Sequence, residues 1–452
     1  MLMKTTAIVL AAGRSTRMNS KKPKVLHHLL GRPMAFYALE AAQQATGEKP
    51  VAIIGHEAEM VRQALGEKAE TVIQEPQLGT GHAVRQAEPL LKERSEYILV
   101  TTADMPLLTG GTLQQLVQAQ QAHNGPMTLL IATTDEARGF GRVTRDADGR
   151  IQAIIEEAHA TPQQLAIREL NTSVYCFTAE WLWQALPRIP LSPKGEYYLT
   201  DLVGIAVADG LSIQTIDIQE PGETIGINTR LHLAEAEAFL RQRINRGWML
   251  AGVTIIDPPS TYIEPGVSIG QDTVLWPNTY LQGNSSIGED CTIGPNAIIR
   301  DTQIGNGCRV LASVLERAVV EDRVDIGPFG HLRKGAHLGA DVHMGNFGEV
   351  KNSYLGAGSK VGHFSYIGDA TIGTNVNIGA GTITCNFDGK QKHHTDIGAD
   401  VFIGSDTMLV APVKIGEGAR TGAGSVVTKN LPEYTLAVGM PARAIRKLER
   451  SD

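Results

Sequence analysis

Between Ile263 and Val427 an aliphatic residue returns every six positions, at Ile263, Ile269, Leu275, Leu281, Ile287, Ile293 and Ile299. One shorter step reaches Ile304. The series continues through Leu338, Met344 and Val350 and then Ile397, Ile403, Leu409 and Ile415. A small or acidic residue, usually Gly, often follows, as in Ile287-Gly288 and Ile372-Gly373. Small residues also stand four places on, at Thr273, Thr279, Ser285, Cys291 and Ala297. Six is not the period of a helix. It is the hexapeptide period of a left-handed parallel β-helix, each unit a short strand plus a bend. The aliphatic side chains point inward and stack into one continuous core. Gly and Asn suit the corners because they tolerate left-handed backbone. A Gly-rich disordered segment has no reason to keep an aliphatic residue in register. After Ile378 the register breaks, so residues 384–396 are expected to loop out before Ile397 resumes it. That stretch contains Asn386, Phe387, Asp388 and Gly389. Insertions in repeat arrays collect on a binding face.

The first half reads differently. Apolar runs predict strands at 6–10, 51–55, 71–74, 97–102 and 127–133. Amphipathic stretches predict helices at 33–45, 57–65, 80–91 and 112–122. This alternation predicts a Rossmann-like three-layer α/β sandwich with a mostly parallel sheet. Ligands of such sheets bind beyond the carboxyl ends of the strands, where the loop after Leu10 and Asp104 both fall. Residues 229–249 read as one long helix with Leu233, Leu240, Ile244 and Trp248 on one face. The expected organisation is a nucleotide-handling domain at 1–228, a linker helix at 229–249 and a β-helix domain at 250–452. A Pro- and Gly-containing tail at 434–443 and a short basic segment at 444–450 follow the repeat.

Composition narrows the class. The 452 residues, 42% hydrophobic and 20% charged, are enough for two globular domains. A net charge of −7 argues against a general nucleic-acid binder. None of the four cysteines, Cys176, Cys291, Cys308 and Cys385, forms a C-x-x-C pair. Cys291 and Cys308 take the small-residue place of a hexapeptide, which reads as packing. With neither a signal peptide nor an apolar run of membrane-spanning length, a cytoplasmic protein without membrane partners is expected.

The most specific stretch of the first half is Leu10-Ala-Ala-Gly-Arg-Ser-Thr-Arg-Met18, followed by Pro23-Lys24. Small residues after a buried strand let backbone N–H groups approach phosphates, and Arg14, Arg17 and Lys24 add positive charge. The G-K-[ST] ending of a Walker A loop is absent. Asp104, after its strand, fits a Mg²⁺ ligand and the cap of a turn equally well. His363, in Lys-Val-Gly-His-Phe-Ser-Tyr, should project outward, and the residues alone favour a surface corner histidine. His393 and His394 lack metal-ligand partners at fixed spacing and read as solvated.

Together these motifs resemble a known family. The Leu10 loop, Gln74-Glu-Pro-Gln-Leu-Gly-Thr-Gly81, Gly139-Phe-Gly-Arg-Val143, Glu169-Leu-Asn-Thr172 and Gly195-Glu-Tyr-Tyr-Leu-Thr-Asp201 are similar to a sugar-nucleotidyltransferase fingerprint. With the hexapeptide array behind them, nearly the whole chain resembles the bacterial bifunctional N-acetylglucosamine-1-phosphate uridyltransferase/glucosamine-1-phosphate acetyltransferase family. The resemblance implies that Leu10, Ala11, Ala12 and Gly13 lie along UTP. It implies that Lys24 contacts phosphate and that Arg17 meets the departing pyrophosphate. Gln74, Gly79 and Thr80 would read uracil, and Thr102, Ala103 and Asp104 would line the site. Gly141, Glu156, Asn171 and Asn228 would hold the N-acetylglucosamine moiety, with Asp104 and Asn228 as Mg²⁺ ligands. Only the family pattern separates Glu156 from its neighbour Glu157.

For the second half the resemblance implies His363 as general base toward the amine of glucosamine 1-phosphate. Imidazole titrates at about 6.5 in water, which suits that task near neutral pH. Arg333 and Lys351 would clamp the sugar phosphate, and Tyr366 and Asn377 would bind the ring. Ala380, Asn386, Phe387, Ser405, Ala423 and Met440 would face acetyl-CoA. The family forms trimers with acetyl-CoA held between neighbours, so a homotrimer is expected. Its product, UDP-N-acetylglucosamine, feeds peptidoglycan and lipopolysaccharide. Five positions depart from the family pattern: Ser15 for Gly, Thr102-Ala103 for Tyr-Gly before Asp104, Phe387 for Tyr, and Met440 for an Arg, whose place Arg443 could take. Two other readings fit parts of the chain: a nucleotidyltransferase for another sugar whose β-helix only oligomerises, and a non-catalytic regulatory subunit. His363 and Asn386 speak against the first, Lys24 and Asp104 against the second.

Overall fold

The structure is a computed structural model that describes residues 4–14 and 16–447. The chain divides into two compact units, Met1–Phe239 and Leu240–Asp452. The division falls inside the helix Arg230–Leu250.

In the first unit, β1 (Thr5–Ala11), α1 (Met34–Thr46), β2 (Val51–Ile54), α2 (Ala58–Leu65), β3 (Glu70–Ile73), α3 (Thr80–Arg85), α4 (Glu88–Leu91), β4 (Tyr97–Thr102), α5 (Gly110–Ala122) and β5 (Met127–Thr133) follow the expected alternation. The helix expected over 80–91 is two. At Gln86 and Ala87 the bonds tighten to i→i−3, from Gln86 N–H to Ala83 O and Ala87 N–H to Val84 O, and Pro89 has no N–H to give. Beyond residue 133 come β6 (Gly141–Arg145), β7 (Ile151–Ile155), β8 (Glu169–Thr178), α6 (Ala179–Ala185), α7 (Asp201–Ala208) and β9 (Ile213–Asp217). The sheet order is β9-β5-β8-β4-β1-β2-β3, with β6 and β7 hung from β8. β8 runs antiparallel to β4, β5 and β6, so the sheet is mixed. β1, buried along nearly its whole length, pairs in parallel with β2 and β4 at the centre. A strand covered on both faces reads as a continuous apolar run. β1 and β4 therefore end side by side, which brings the loop after Ala11 next to Asp104.

The second unit is a three-faced parallel β-helix. Its first face runs from Thr254–Ile255 to a closing hairpin, its second from Tyr262–Ile263 to Val426–Val427, and its third from Ser268–Ile269 to Val413–Ile415. All fifteen aliphatic residues of the hexapeptide series named above point inward and are buried. The small residues fill the corners and bond there. Thr273 Oγ1 donates to Gly288 O and accepts from Cys291 N–H, and Cys291 Sγ accepts from Cys308 N–H one coil on. The glycine after the inward residue has a steric cause. A Cβ on Gly379 would come within 2.6 Å of Ser405 N, and one on Gly404 within 2.6 Å of Thr421 O.

The expected register break after Ile378 does not occur. Thr384 takes the inward place on the second face, opposite Leu409, with 1% of its surface exposed. Its hydroxyl accepts from Gly368 N–H at 2.7 Å and lies 3.0 Å from Gly368 O, so a polar residue satisfies itself in an apolar rung. The excursion is only 386–394, between the strands Ile383–Cys385 and Thr395–Ile397.

The end of helix Arg230–Leu250 covers the first coil of the β-helix. Ile244 and Trp248 pack on its core, and the Arg241 guanidinium lies 4.6 Å above the Tyr262 ring. Asn245, 1% exposed, donates from Nδ2 to the carbonyls of Pro258 at 2.9 Å and Thr261 at 3.0 Å. Asn245→Leu keeps the volume but leaves both carbonyls unpaired. It is expected to cost about 1–3 kcal/mol in urea denaturation of the second unit. An unchanged midpoint would show that the two bonds contribute nothing net.

Candidate functional site

The first site lies at the carboxyl edge of the sheet. A cavity of about 660 Å³ is lined by Leu10, Ala11, Ala12, Gly13, Lys24, Gln74, Gly79, Thr80, Thr102 and Asp104. That size suits a nucleotide-scale ligand. A second cavity of about 540 Å³ holds Arg17 and Glu156, and both cavities share Leu10, Thr80, Thr102 and Tyr198.

Lys24 joins the two candidate metal ligands. Its Nζ lies 2.6 Å from Asp104 Oδ2 and 3.1 Å from Asn228 Oδ1, and Arg17 Nη2 donates to the same Asn228 Oδ1 at 3.0 Å. Burial alone pushes the Asp104 carboxyl up. The Lys24 ammonium beside it outweighs this and holds the group below the usual carboxylate range. The Asp104 side chain keeps 29% of its surface exposed, so an anionic oxygen remains open to a ligand.

Gly79 sits at φ +94°, and a Cβ there would lie 2.6 Å from Tyr197 O. The segment 195–201 is braced against it: Tyr197 N–H donates to Leu78 O, Gly81 N–H to Tyr197 O, and Leu199 N–H to Thr80 Oγ1. Gln74, 3% exposed, spends its Nε2 on Gly79 O and His82 Nδ1, which leaves its carbonyl oxygen as the group to offer. On the second cavity Glu156 accepts from Thr200 Oγ1 at 3.2 Å, whereas Glu157 turns to the buried Arg142 at 3.8 Å. Burial and then the Glu156 charge push the Asp201 carboxyl up.

Some candidates stand behind the walls. Gly141 and Asn171 face each other in the β6–β8 pair. Asn171, 2% exposed, reaches the second cavity through its 2.8 Å bond to the Tyr175 hydroxyl. Ala103 is fully buried and bonds by its N–H to Leu10 O. Ser15 lies outside the described residues. Tyr198 and Thr200 line the site without having been singled out, although both lie in the conspicuous Gly195–Asp201 run.

The second site is on the β-helix. His363, Ala380, Ser405 and Ala423 each stand two places after an inward residue, namely Val361, Ile378, Ile403 and Thr421. Because these coils are in register, the four form a column down one edge. His363 is exposed, as its place in the repeat predicts. On the second face Arg333 pairs with Glu349 at 2.8 Å, and Lys351 lies opposite Gly368 in the neighbouring coil. A Cβ on Gly368 would come within 2.4 Å of the Tyr366 hydroxyl, so the glycine makes room for that ring. Asn386 donates from Nδ2 to Asp369 Oδ2 at 2.5 Å and lies 3.5 Å from the Tyr366 hydroxyl.

Two features of this site were not read from the residues. Lys392 comes back from the excursion to within 3.8 Å of Asp369 Oδ2. Its proximity is the main cause, with Arg333 behind it, of a lowered Lys351 ammonium. Three cations thus gather where an anion would be stabilised. His393, expected to be solvated, is half-buried with Nε2 2.7 Å from Asp388 Oδ2, because the excursion folds on itself. His394 is exposed, as expected, beside Asp396 at 3.3 Å. Asn377 is on the first face, paired with Lys360 and Phe402, and so on a different face from Arg333, Lys351 and Tyr366. Phe387 and Met440 are exposed, and Arg443 lies on the exposed last strand.

A nucleotide-sized cleft on an α/β sheet, joined in one chain to a hexapeptide β-helix with a cation cluster, defines a two-domain transferase. The family model of the MobA-like NTP transferase domain matches residues 7–196. That of the bacterial transferase hexapeptide, six repeats, matches 266–301 and 394–429. The chain is 47% identical over 436 residues to the bifunctional protein GlmU of Heliobacterium modesticaldum, covering 96% of this chain and 95% of that one. It is 45% identical to those of a Geobacillus strain, over 99% of this chain and 97% of the relative, and of Shouchella clausii, over 96% and 95%. The chain belongs to the GlmU family of bifunctional proteins.

Proposed function

We propose that this chain is a bifunctional transferase that makes UDP-N-acetylglucosamine in two steps. The β-helix acetylates the amine of glucosamine 1-phosphate with acetyl-CoA, releasing CoA. The α/β domain then directs a phosphate oxygen of N-acetylglucosamine 1-phosphate onto the α-phosphorus of UTP, releasing pyrophosphate. The uridyltransferase is assigned to residues 1–228, the linker to 229–249 and the acetyltransferase to 250–452. The observation that carries the reading is the pairing of Lys24 with Asp104 on the wall of a nucleotide-sized cleft, with Asn228 bonded to the same Lys24, in a chain whose second half is a hexapeptide transferase fold.

Magnesium fits the first site by donor chemistry. Asp104 Oδ2 and Asn228 Oδ1 are hard oxygens brought to one point by Lys24, and Mg²⁺ takes few protein ligands, completing its shell with water and phosphate. Asp104 and Asn228 are the ligands that the family resemblance implies, and their shared contact with Lys24 supports that assignment. Bound there, the ion would offset triphosphate charge. Lys24 and Arg17 would hold phosphate oxygens and the leaving pyrophosphate. Gln74 Oε1 would accept from uracil N3–H, and Glu156 would take a sugar hydroxyl. On the β-helix, Arg333, Lys351 and Lys392 would hold the sugar phosphate and Tyr366 the ring. His363 would take the proton as the amine attacks the thioester. The column Ala380, Ser405 and Ala423, with Asn386, Phe387 and Met440, would face acetyl-CoA. Residues this small let the pantetheine lie close to the backbone.

A homotrimer follows from the same reading. Asn377 and the Arg333–Lys351–Tyr366 group lie on different faces of one chain. Exposed Phe329 and Phe347, stacked at 5.1 Å, with Phe364 form an aromatic ridge beside His363. Both observations support a site completed by a second copy. Sedimentation equilibrium is expected to give three times the chain mass; a monomer with full acetyltransferase activity would refute it. A cytoplasmic location and supply of cell-wall precursors are part of the proposal. Among the described residues no helix is long and apolar enough to cross a membrane.

The test is a coupled assay with glucosamine 1-phosphate, acetyl-CoA, UTP and Mg²⁺, omitting each in turn. Loss of UDP-sugar on every omission supports the reading. Formation of a UDP-sugar without acetyl-CoA would favour a nucleotidyltransferase for another sugar.

A further inference from the structure

The excursion 386–394 carries Asn386 at its start and Lys392 near its end. A surface loop of this length would ordinarily be loose. This one is closed by a single carboxylate. Asp388 Oδ1 accepts from Lys390 N–H at 2.7 Å and Gln391 N–H at 2.8 Å, and Oδ2 lies 2.7 Å from His393 Nε2. Phe387 and Lys392 then pair across the turn as an antiparallel bridge, and His393 N–H donates to Asn386 O at 2.8 Å. Gly389, at φ +93°, makes the reversal possible. The same contacts, the Gln391 N–H first, hold the Asp388 carboxyl down at about 2, so it is ionised throughout the working range. At the root, Asp369 anchors Asn386 and faces Lys392.

We infer that Asp388 is a positioning residue of acetyl transfer: it makes the excursion a fixed arm that sets the Lys392 ammonium beside Lys351, where the phosphate of the amino sugar binds. Both carboxylate oxygens of Asp388 are engaged within the excursion itself. The inference rests on the functional reading above and adds to it the source of the third cation. Lys392 and Lys351 repel each other, so without a lock the longer, exposed arm would swing Lys392 into solvent. Phosphate binding away from the reacting amine stabilises ground and transition states alike, so its loss should appear in KM rather than kcat.

The experiment compares Asp388→Ala, Asp388→Asn and Lys392→Met in the full chain, with amide hydrogen exchange read alongside. Asp388→Ala is expected to raise KM for glucosamine 1-phosphate about tenfold, with kcat within about twofold and uridyl transfer unchanged. Asp388→Asn, which keeps an acceptor for the two backbone N–H groups, should be milder. In the Lys392→Met background Asp388→Ala should add less than about twofold, because the two act through one contact. The Lys390 and Gln391 amides should be protected in the parent and exchange freely in Asp388→Ala.

A full tenfold effect on top of Lys392→Met, or a fall in kcat at unchanged KM, would overturn the proposal. So would a silent Lys392→Met. Normal acetyl transfer with unprotected amides would sink the arm alone. Absence of acetyl transfer in the parent chain would sink the arm and the functional reading together.

Discussion

Replacing Asp104 by Ala is expected to abolish UDP-sugar formation while acetyl transfer continues at the parent rate. The side chain stands at the end of β4, and its charge is balanced by Lys24 at 2.6 Å. Removing it deletes the one anionic oxygen assigned to the metal and leaves the Lys24 ammonium, only 15% exposed, with Asn228 Oδ1 as its remaining partner. Metal stabilisation of transferring phosphoryl oxygens contributes several kcal/mol, so a loss of about three orders of magnitude or more is expected. Asp104→Asn keeps the shape and should lose nearly as much, because the metal prefers an anionic ligand. Pyrophosphate release at saturating Mg²⁺ measures the effect, and acetyl transfer in the same preparation reports that the chain is folded. Retained uridyl turnover would remove Asp104 from the site.

His363→Ala should do the opposite. General-base catalysis contributes about 10²–10⁴-fold. Acetyl-transfer kcat is therefore expected to fall by that range, with the KM for acetyl-CoA little altered and uridyl transfer intact. The residual rate should climb with pH, since the substrate amine must then lose its proton to solvent before attack. Thiol release from acetyl-CoA followed across pH reads both effects. A His363→Ala enzyme with parent kcat and an unchanged profile would return His363 to the ordinary corner residue that its exposure alone describes.

The β-helix was legible because its period is enforced in every coil by the same steric template. Where a coil satisfies that template with different chemistry, the pattern disappears. Thr384 does so by bonding its hydroxyl to Gly368, and a search for aliphatic residues reads the position as a break. The early strands of the first domain were equally plain, since burial on both faces makes them continuous apolar runs. β6, β7 and β9 carry no such mark, being short and, in places, half-exposed.

The chemistry splits in the same way. Lys24 and Asp104 stand out locally, but their meeting with Asn228 joins residues 204 positions apart and is a property of the sheet order. Lys392 looks like any charged loop residue until the excursion folds back and puts it beside Lys351. His393 misleads for the same reason, its partner Asp388 being supplied by a turn that no spacing announces. Asn377 shows the converse: a motif names it, yet the geometry sets it around a corner from the group it was expected to join.

A column of identical rungs has no inherent last member, since each coil presents the next with the same unpaired backbone edge. Left bare, such edges recruit further strands from other molecules, which is how fibrils lengthen. This chain terminates the column with two unlike stoppers. At one end the Asn245 amide and the Trp248 ring lie across the first coil. At the other the chain reverses into the hairpin Thr435–Gly439 and Ala442–Lys447, whose outer strand bears Arg443, Arg446 and Lys447. These two segments, rather than anything in the repeat itself, keep an endlessly extensible architecture finite.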